Sequence, residues 1–245
     1  MEIKNYYKNK IVVSGCSYSV GQWPLSLKEK YSLNVDSMAI SGQSNQSITR
    51  KIYDYIANNN CKNTLFICQL TWLHRIGFYH DIINEWLDYQ PNFINFIPKY
   101  NQVVDRLEME YNEDTVKVNK LIKINKDEYN ELENMYKTYL KFVYNEDESF
   151  INLLYKIDLL ESFVEKTQNE ILFIYWPLIN NELHIKQFQN RNFFNINGEY
   201  SMLNWSTKNK KINNIDSHLS NYGHIYFAEM LNKYLKNEQS NLEII

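Results

Sequence analysis

The feature that most constrains this chain is a rhythm of short apolar, β-rich runs separated by amphipathic stretches. "IVVSG", Ile11 to Gly15, is the first run. "SLNVDSMAI" is the second, "NTLFICQL" from Asn63 to Leu70 the third, and "EILFIYWPL" from Glu170 to Leu178 the fourth, ended by Pro177. Runs of this length bounded by turn residues read as buried strands. Between them, "SNQSITRKIYDYIANNN" places Ile48, Ile52, Tyr55 and Ile56 on one helical face, with Ser44 or Ser47 as its cap. Leu153, Leu154, Ile157, Leu160, Phe163 and Val164 form a second stripe. Phe227, Ala228, Leu231, Tyr234 and Leu235 form a third, capped by Ser220. Strands alternating with helices predict an α/β fold: a parallel sheet with helices on both faces, three layers in all.

One interruption breaks the rhythm. Roughly a hundred residues separate the third and fourth strands, longer than any connection a compact α/β unit needs. Residues 72–150 hold "RIGFYHDIINEWLDYQPNFINFIPKYNQ" and a polar-faced helix from Lys126 to Asn145. Neither edge carries a Gly/Ser linker. The chain is therefore read as one domain, 1–245, with 72–150 as a helical, aromatic insertion that caps the sheet. Trp72, Phe78, Tyr79, Trp86 and Tyr89 either line a pocket over the sheet edge or belong to the core of that cap.

Composition excludes several functions. The chain has 26 Lys plus Arg against 29 Asp plus Glu, dispersed along its length, so no basic stripe invites nucleic acid or an anionic membrane. No apolar stretch approaches the roughly 20 residues of a membrane span. The N-terminal "MEIKNYYKNK" is polar, and the apolar run behind it is too short for a signal peptide. Cys16, Cys61 and Cys68 have no paired spacing, which fits a reducing compartment. The expectation is a cytoplasmic protein without metal or organic cofactor. His74 and His80 lack ligand spacing, and no Cys/His cluster supports a metal site.

Ligands of open α/β sheets bind beyond the carboxyl ends of the strands. There the first strand delivers Gly15–Ser19, the second Ser41–Asn45, and the third Gln69, Thr71, Trp72, His74 and Arg75. "IDSHLSNYGH" brings Asp216, His218 and His224 just ahead of the last helix. The set contains a hydroxyl, an imidazole, a carboxylate and turns with free backbone amides, which are the parts of acyl transfer. A serine needs a neighbouring imidazole to take its proton, and the imidazole needs a carboxylate to fix its tautomer. Cys16 is an alternative nucleophile, though a side chain pointing into the sheet suits it better. His224 reads as a packing or surface residue.

In order, "VVSGCSYSVG", "MAISGQSNQSI" and "DSHLSNYGH" resemble the blocks of the SGNH hydrolases, the GDSL-type esterases and lipases, and within them the SGNH-like proteins of phage genomes and polysaccharide gene clusters. The matching blocks cover about fifty residues. The resemblance implies a flavodoxin-like, doubly wound sheet, with Ser17 as nucleophile, His218 as base and Asp216 as acid. It also implies an oxyanion hole from the amides of Ser17 and Gly42. Three departures stand out. Cys16 replaces the usual Asp, and the last block is Asp-x-His instead of Asp-x-x-His. The third block, "QLTWLHR", lacks the Gly-x-Asn-Asp whose Asn completes the oxyanion hole. Thr71, Gln69 or Asn45 is left to substitute, and Arg75 stands at the same edge for an anionic group. Asn45, Gln69, Trp72 and Arg75 are thus the candidate substrate-binding residues.

The resulting expectation is a serine esterase acting on a small-molecule or carbohydrate ester such as an O-acetyl group. Two alternatives accompany it: a non-catalytic SGNH-like binding or structural protein, and a sugar O-acyltransferase. A phage origin would place the protein in a virion or a host-cell cytoplasm.

Overall fold

The computed structural model describes residues 5–80, 85–89, 126–179, 181–196, 198–211 and 218–236. Four strands form a parallel sheet: β1 (Ile11–Ser14), β2 (Val35–Ser37), β3 (Leu65–Leu70) and, after the insertion, β6 (Glu170–Tyr175), in the order β2-β1-β3-β6. Ile11 pairs with both Val35 and Leu65, and Leu65 pairs in turn with Glu170. Beyond β6, parallel bridges from Phe173 to Phe193 and from Tyr175 to Ser201 stand where a fifth strand would lie. Every residue of β1 and β3 is buried, as expected of central strands covered on both faces.

The covering helices follow from connectivity. α1 (Ser17–Val20) and α2 (Gln22–Tyr31) lead from β1 outward to β2. α3 (Asn45–Asn59) then returns across β1 to β3. Right-handed crossovers that reverse direction place their helices on opposite faces. α5 (Glu146–Lys166) packs beside α3 and against β6. α8 (Asn221–Leu235) packs on α2, with Trp23 meeting Phe227 edge-on at 5.4 Å. α6 (Glu182–Gln189) and α7 (Met202–Lys208) fill the connection after β6. The architecture is the expected α/β one, three layers around a parallel sheet. Where β1 runs out to β2 and the chain returns to β3, the carboxyl ends of β1 and β3 border the switch point at which such sheets bind ligands.

Local signals explain the helix ends. Ser44 caps α3 by accepting from Ser47 N–H, and Ser220 caps α8 by accepting from Gly223 N–H. Asn145 and Asn181 do the same for α5 and α6.

The insertion departs from a purely helical reading. It opens as an antiparallel hairpin, β4 (Ile76–His80) with β5 (Glu85–Tyr89). Aromatic and branched residues at alternating positions favour a pleated surface over a helix here. The helical part follows as α4 (Lys126–Phe142), whose buried Tyr136 donates its hydroxyl to the His74 carbonyl at 3.0 Å. Among the described residues no helix is long and apolar enough to cross a membrane.

Candidate active site

β1 ends in Gly15-Cys16-Ser17, and the two glycines flanking "CSYS" have separate physical reasons. A Cβ on Gly15 would lie 2.8 Å from Gln69 Oε1 and 2.7 Å from Ser19 Oγ. The side chain of Gln69 occupies that space. Its Oε1 accepts from Cys16 N–H at 3.0 Å, from Ser19 Oγ at 3.1 Å and from Cys16 Sγ at 3.4 Å. Its Nε2 donates to Leu70 O at 2.6 Å. One buried amide thus ties the turn after β1 to the end of β3. A Cβ on Gly21 would collide with His224 Cε1, so the imidazole at the start of α8 packs directly on the backbone behind α1.

Cys16 is fully buried, with its sulfur against Gln69, while Ser17 is partly exposed at the first residue of α1. Of the two candidate nucleophiles, Ser17 is the one presented at the sheet edge. N–H groups in the first turn of a helix have no i−4 partners within it; here Cys16 N–H is taken by Gln69 and Ser19 N–H by Cys16 O at 2.8 Å, which leaves the Ser17 amide beside that hydroxyl.

The loop from β2 to α3 carries the second block. Gly42 sits at φ +83°, a left-handed conformation that favours glycine. Its neighbours are pinned from several directions. Ile40 N–H donates to Gly15 O at 3.1 Å. In the orientation that satisfies both ends, the Gln43 amide donates to Gly15 O and accepts from Lys51 Nζ, each at 3.1 Å. Lys51 also donates to Met38 O at 2.9 Å. Burial pulls its ammonium down to about 8, with Asp88 opposing that pull. Asp88, on β5, accepts from Ser44 N–H at 3.0 Å and Ser47 Oγ at 2.8 Å, so the hairpin docks a carboxylate on the start of α3.

The third block is structural where a free donor was expected. Asn45 Nδ2 donates to Thr71 O at 2.9 Å, and Asn45 Oδ1 accepts from Thr71 N–H at 2.7 Å. Both ends of this amide are engaged with one residue. Gln69 is likewise engaged at both ends of its amide. The Oγ1 of buried Thr71 has no hydrogen-bond partner among the described residues. Trp72 is partly exposed, and the Arg75 guanidinium lies over its ring at 4.9 Å while donating to Gln43 O at 3.3 Å.

The tail reaches the same edge. Tyr18, next to Ser17, stacks on the His218 ring at 4.3 Å and on Trp176 at 4.1 Å, and tilts against Trp72 at 5.5 Å. His218 is partly buried. Behind it, the carbonyl of Lys211 accepts from both Ser220 N–H and Ser220 Oγ, at 2.8 and 3.1 Å, which fixes the entry to α8. His224, one turn into that helix, is held neutral, its pKa lowered to about 4 by burial and then by His218. His74 is lowered similarly, by burial and then by Arg75.

The first turn, the Gly42 loop, the end of β3 and His218 therefore meet at one rim of the sheet. Asp216 lies outside the described residues, as do the side chains of Phe78, Tyr79, Trp86 and Tyr89. Among the described residues no three His, Cys, Asp or Glu side chains group as metal ligands. Sequence reasoning missed the roles of Tyr18, Trp176 and Lys51, and assigned Asn45 and Gln69 to substrate. Their engaged amides come from pairings between distant segments, for which no local signal exists.

No family model and no curated protein matches the chain. Among solved structures, the chain is similar to a lipolytic protein of the G-D-S-L family from Desulfitobacterium hafniense DCB-2, at 10% identity and TM-score 0.45, over 91% of this chain and 98% of that one. It is similar to the psychrotrophic esterase EstA from Pseudoalteromonas sp., at 12% identity and TM-score 0.49, over 95% and 100%. It is also similar to a family 3 carbohydrate esterase from Clostridium thermocellum, at 12% identity and TM-score 0.31, over 94% and 96%.

Proposed function

We propose that the protein is a serine hydrolase of carboxylic esters, with Ser17 as nucleophile and His218 as base. The supporting observation is the stack of Tyr18 on His218 at 4.3 Å, which brings the residue after the nucleophile against the imidazole from the far end of the chain. In this reading His218 removes the Ser17 proton as Oγ attacks the acyl carbon, and returns it to the leaving alcohol. Water, deprotonated by the same imidazole, then attacks the acyl-serine and releases the acid. Asp216 orients the ring.

Charge develops on the carbonyl oxygen in the tetrahedral intermediate, and preorganised donors aimed at it carry much of the rate. The Ser17 and Gly42 amides fill that role, with Thr71 Oγ1 as the third donor, because its hydroxyl is the uncommitted one at the end of β3. Asn45 and Gln69 enter as positioning residues, holding Thr71 and the first turn. Trp72 and Arg75 contact substrate. A carbohydrate O-acetyl ester is the favoured substrate, and transfer to a sugar hydroxyl shares every step up to the acyl-serine.

The test is hydrolysis of p-nitrophenyl acetate by the wild type and Ser17→Ala side by side. A burst and turnover in the wild type, absent in the variant, support the reading. Equal rates, or no turnover by folded wild type, favour a binding protein built on the same fold.

A further inference from the structure

Arg75 differs from the other arginines whose surroundings the structure describes. Arg191 forms a two-pronged ion pair with Asp158, at 2.8 and 3.1 Å, and Arg50 faces Asp54 at 3.9 Å. Arg75 has no carboxylate partner among the described residues. Its Nη1 donates to a neutral carbonyl, Gln43 O, at 3.3 Å, its plane rests on the Trp72 ring, and its buried Nε has no hydrogen-bond partner among the described residues. A guanidinium is always charged, and taking it partly out of water is costly unless something anionic compensates. The near neighbours do not: His74 is held neutral, burial keeps the Tyr136 hydroxyl protonated, and the Asp88 carboxylate is taken up by Ser44 N–H and Ser47 Oγ.

The position of this charge is as telling as its isolation. It is fixed on one side to the carbonyl of Gln43, the residue after Gly42, and on the other to Trp72, which touches Tyr18. A ligand group bound there lies one residue from the proposed oxyanion loop and one ring from the stack that holds His218. A partly exposed indole beside a cation offers an apolar face and a charge together.

We propose that Arg75 is an anion subsite of the candidate active site, and that the ester it selects carries a carboxylate on the portion lying along Trp72. The inference rests on the hydrolase reading and narrows its substrate class. A carboxylate suits the site better than a phosphate dianion, since among the described residues Arg75 is the one guanidinium there, Lys51 is turned to the Gln43 amide and the Met38 carbonyl, and the start of α3 beside Gln43 is already taken by the Asp88 carboxylate. Arg75 acts by binding and orienting, and forms no bond with the substrate.

Two measurements test it separately from hydrolysis. First, benzoate, benzamide and phenyl phosphate are titrated by ligand-observed NMR into the wild type, Ser17→Ala, Arg75→Gln and Arg75→Lys, each checked for folding by circular dichroism. Benzoate should bind wild type and Ser17→Ala alike, at least tenfold tighter than benzamide. Arg75→Gln should abolish the difference, and Arg75→Lys should keep part of it. Second, kcat/KM is compared for 4-acetoxybenzoate against its methyl ester, and for p-nitrophenyl hemisuccinate against p-nitrophenyl butyrate. A preference for the charged member of either pair, of about tenfold, carried by KM and lost in Arg75→Gln, supports the subsite and tells which portion of the ester bears the charge. Equal binding of benzoate and benzamide overturns it, as does a benzoate preference surviving Arg75→Gln, and tighter binding of phenyl phosphate overturns the carboxylate assignment. If benzoate binds through Arg75 but the folded wild type turns over no ester, the hydrolase reading fails and the subsite stands. Turnover without charge preference gives the converse.

Discussion

The two sides of the candidate site are held by different physics. On the Gly42 side the fastenings are polar: Gln69 to Cys16 and Ser19, Asn45 to Thr71, Lys51 to Met38, and Asp88 to Ser44 and Ser47. On the His218 side they are rings: Tyr18 between His218 and Trp176, and His224 against Gly21. Hydrogen bonds fix a backbone amide in direction as well as position, which is what an oxyanion donor needs. Stacked rings fix a plane yet permit sliding, which suits an imidazole that must reach first the serine and then the leaving group. The polar side should therefore answer to amide and charge substitutions, and the ring side to changes of volume.

The sharpest break in that comparison comes from Tyr18→Ala. Losing a buried aromatic ring costs about 3–5 kcal/mol, read as a drop in the urea midpoint, and catalysis should fall further because His218 loses its support. Tyr18→Phe, which keeps the ring, should lose less than Tyr18→Ala in both. On the polar side, Asn45→Ala strands the buried N–H and carbonyl of Thr71, a loss of about 1–3 kcal/mol. Its kcat should fall while KM changes little, because a donor is misplaced and no substrate contact is removed.

A contact between the two ends of the chain is tested by Gly21→Ala, which pushes a methyl into His224. Overpacking of this kind costs about 1–3 kcal/mol. The double variant Gly21→Ala/His224→Ala should recover part of the loss, and strict additivity would contradict the contact.

The remaining effects are in pH dependence. The Lys51 ammonium is lowered to about 8 from an ordinary 10.5. Between those values the unfolded chain binds the proton and the native one does not, so this group makes stability rise with pH across that window. The cost of its burial is fully present below pH 8. Lys51→Met should flatten that stretch of the profile. His224 works the same way lower down: ordinarily near 6.5 and about 4 in the fold, it withdraws stability as pH falls through that range. His224→Gln should reduce the acid sensitivity, and His74, lowered to the same value, accounts for part of what remains.

How much of this was legible in the sequence follows from which forces are local. The strands could be read because strands of a parallel sheet covered on both faces are buried, so β1, β3 and β6 stand out as largely apolar runs. The caps Ser44 and Ser220 could be read because capping is decided within three residues. α2 was not legible: "QWPLSLKEKY" has a weak apolar stripe, and Pro24 breaks the pattern although it sits in the first turn, where its missing N–H costs nothing. The hairpin at Ile76–Tyr89 was not legible as strands, because short aromatic-rich segments fit either periodicity. The rim itself was legible as a set of residue types at strand ends. Which of those residues would be engaged by the protein's own backbone was not, because Gln69 and Asn45 find their partners 53 and 26 residues away.

The central claim is that Ser17 is activated by His218, and covalent trapping tests it most directly. A fluorophosphonate probe is applied to wild type, Ser17→Ala and His218→Ala, and the labelled peptide is identified by mass spectrometry. The account predicts a single adduct on Ser17 in the wild type, none in Ser17→Ala, and labelling slowed by orders of magnitude in His218→Ala. Folded wild-type protein that resists the probe, or an adduct that persists after Ser17 is replaced, would contradict it.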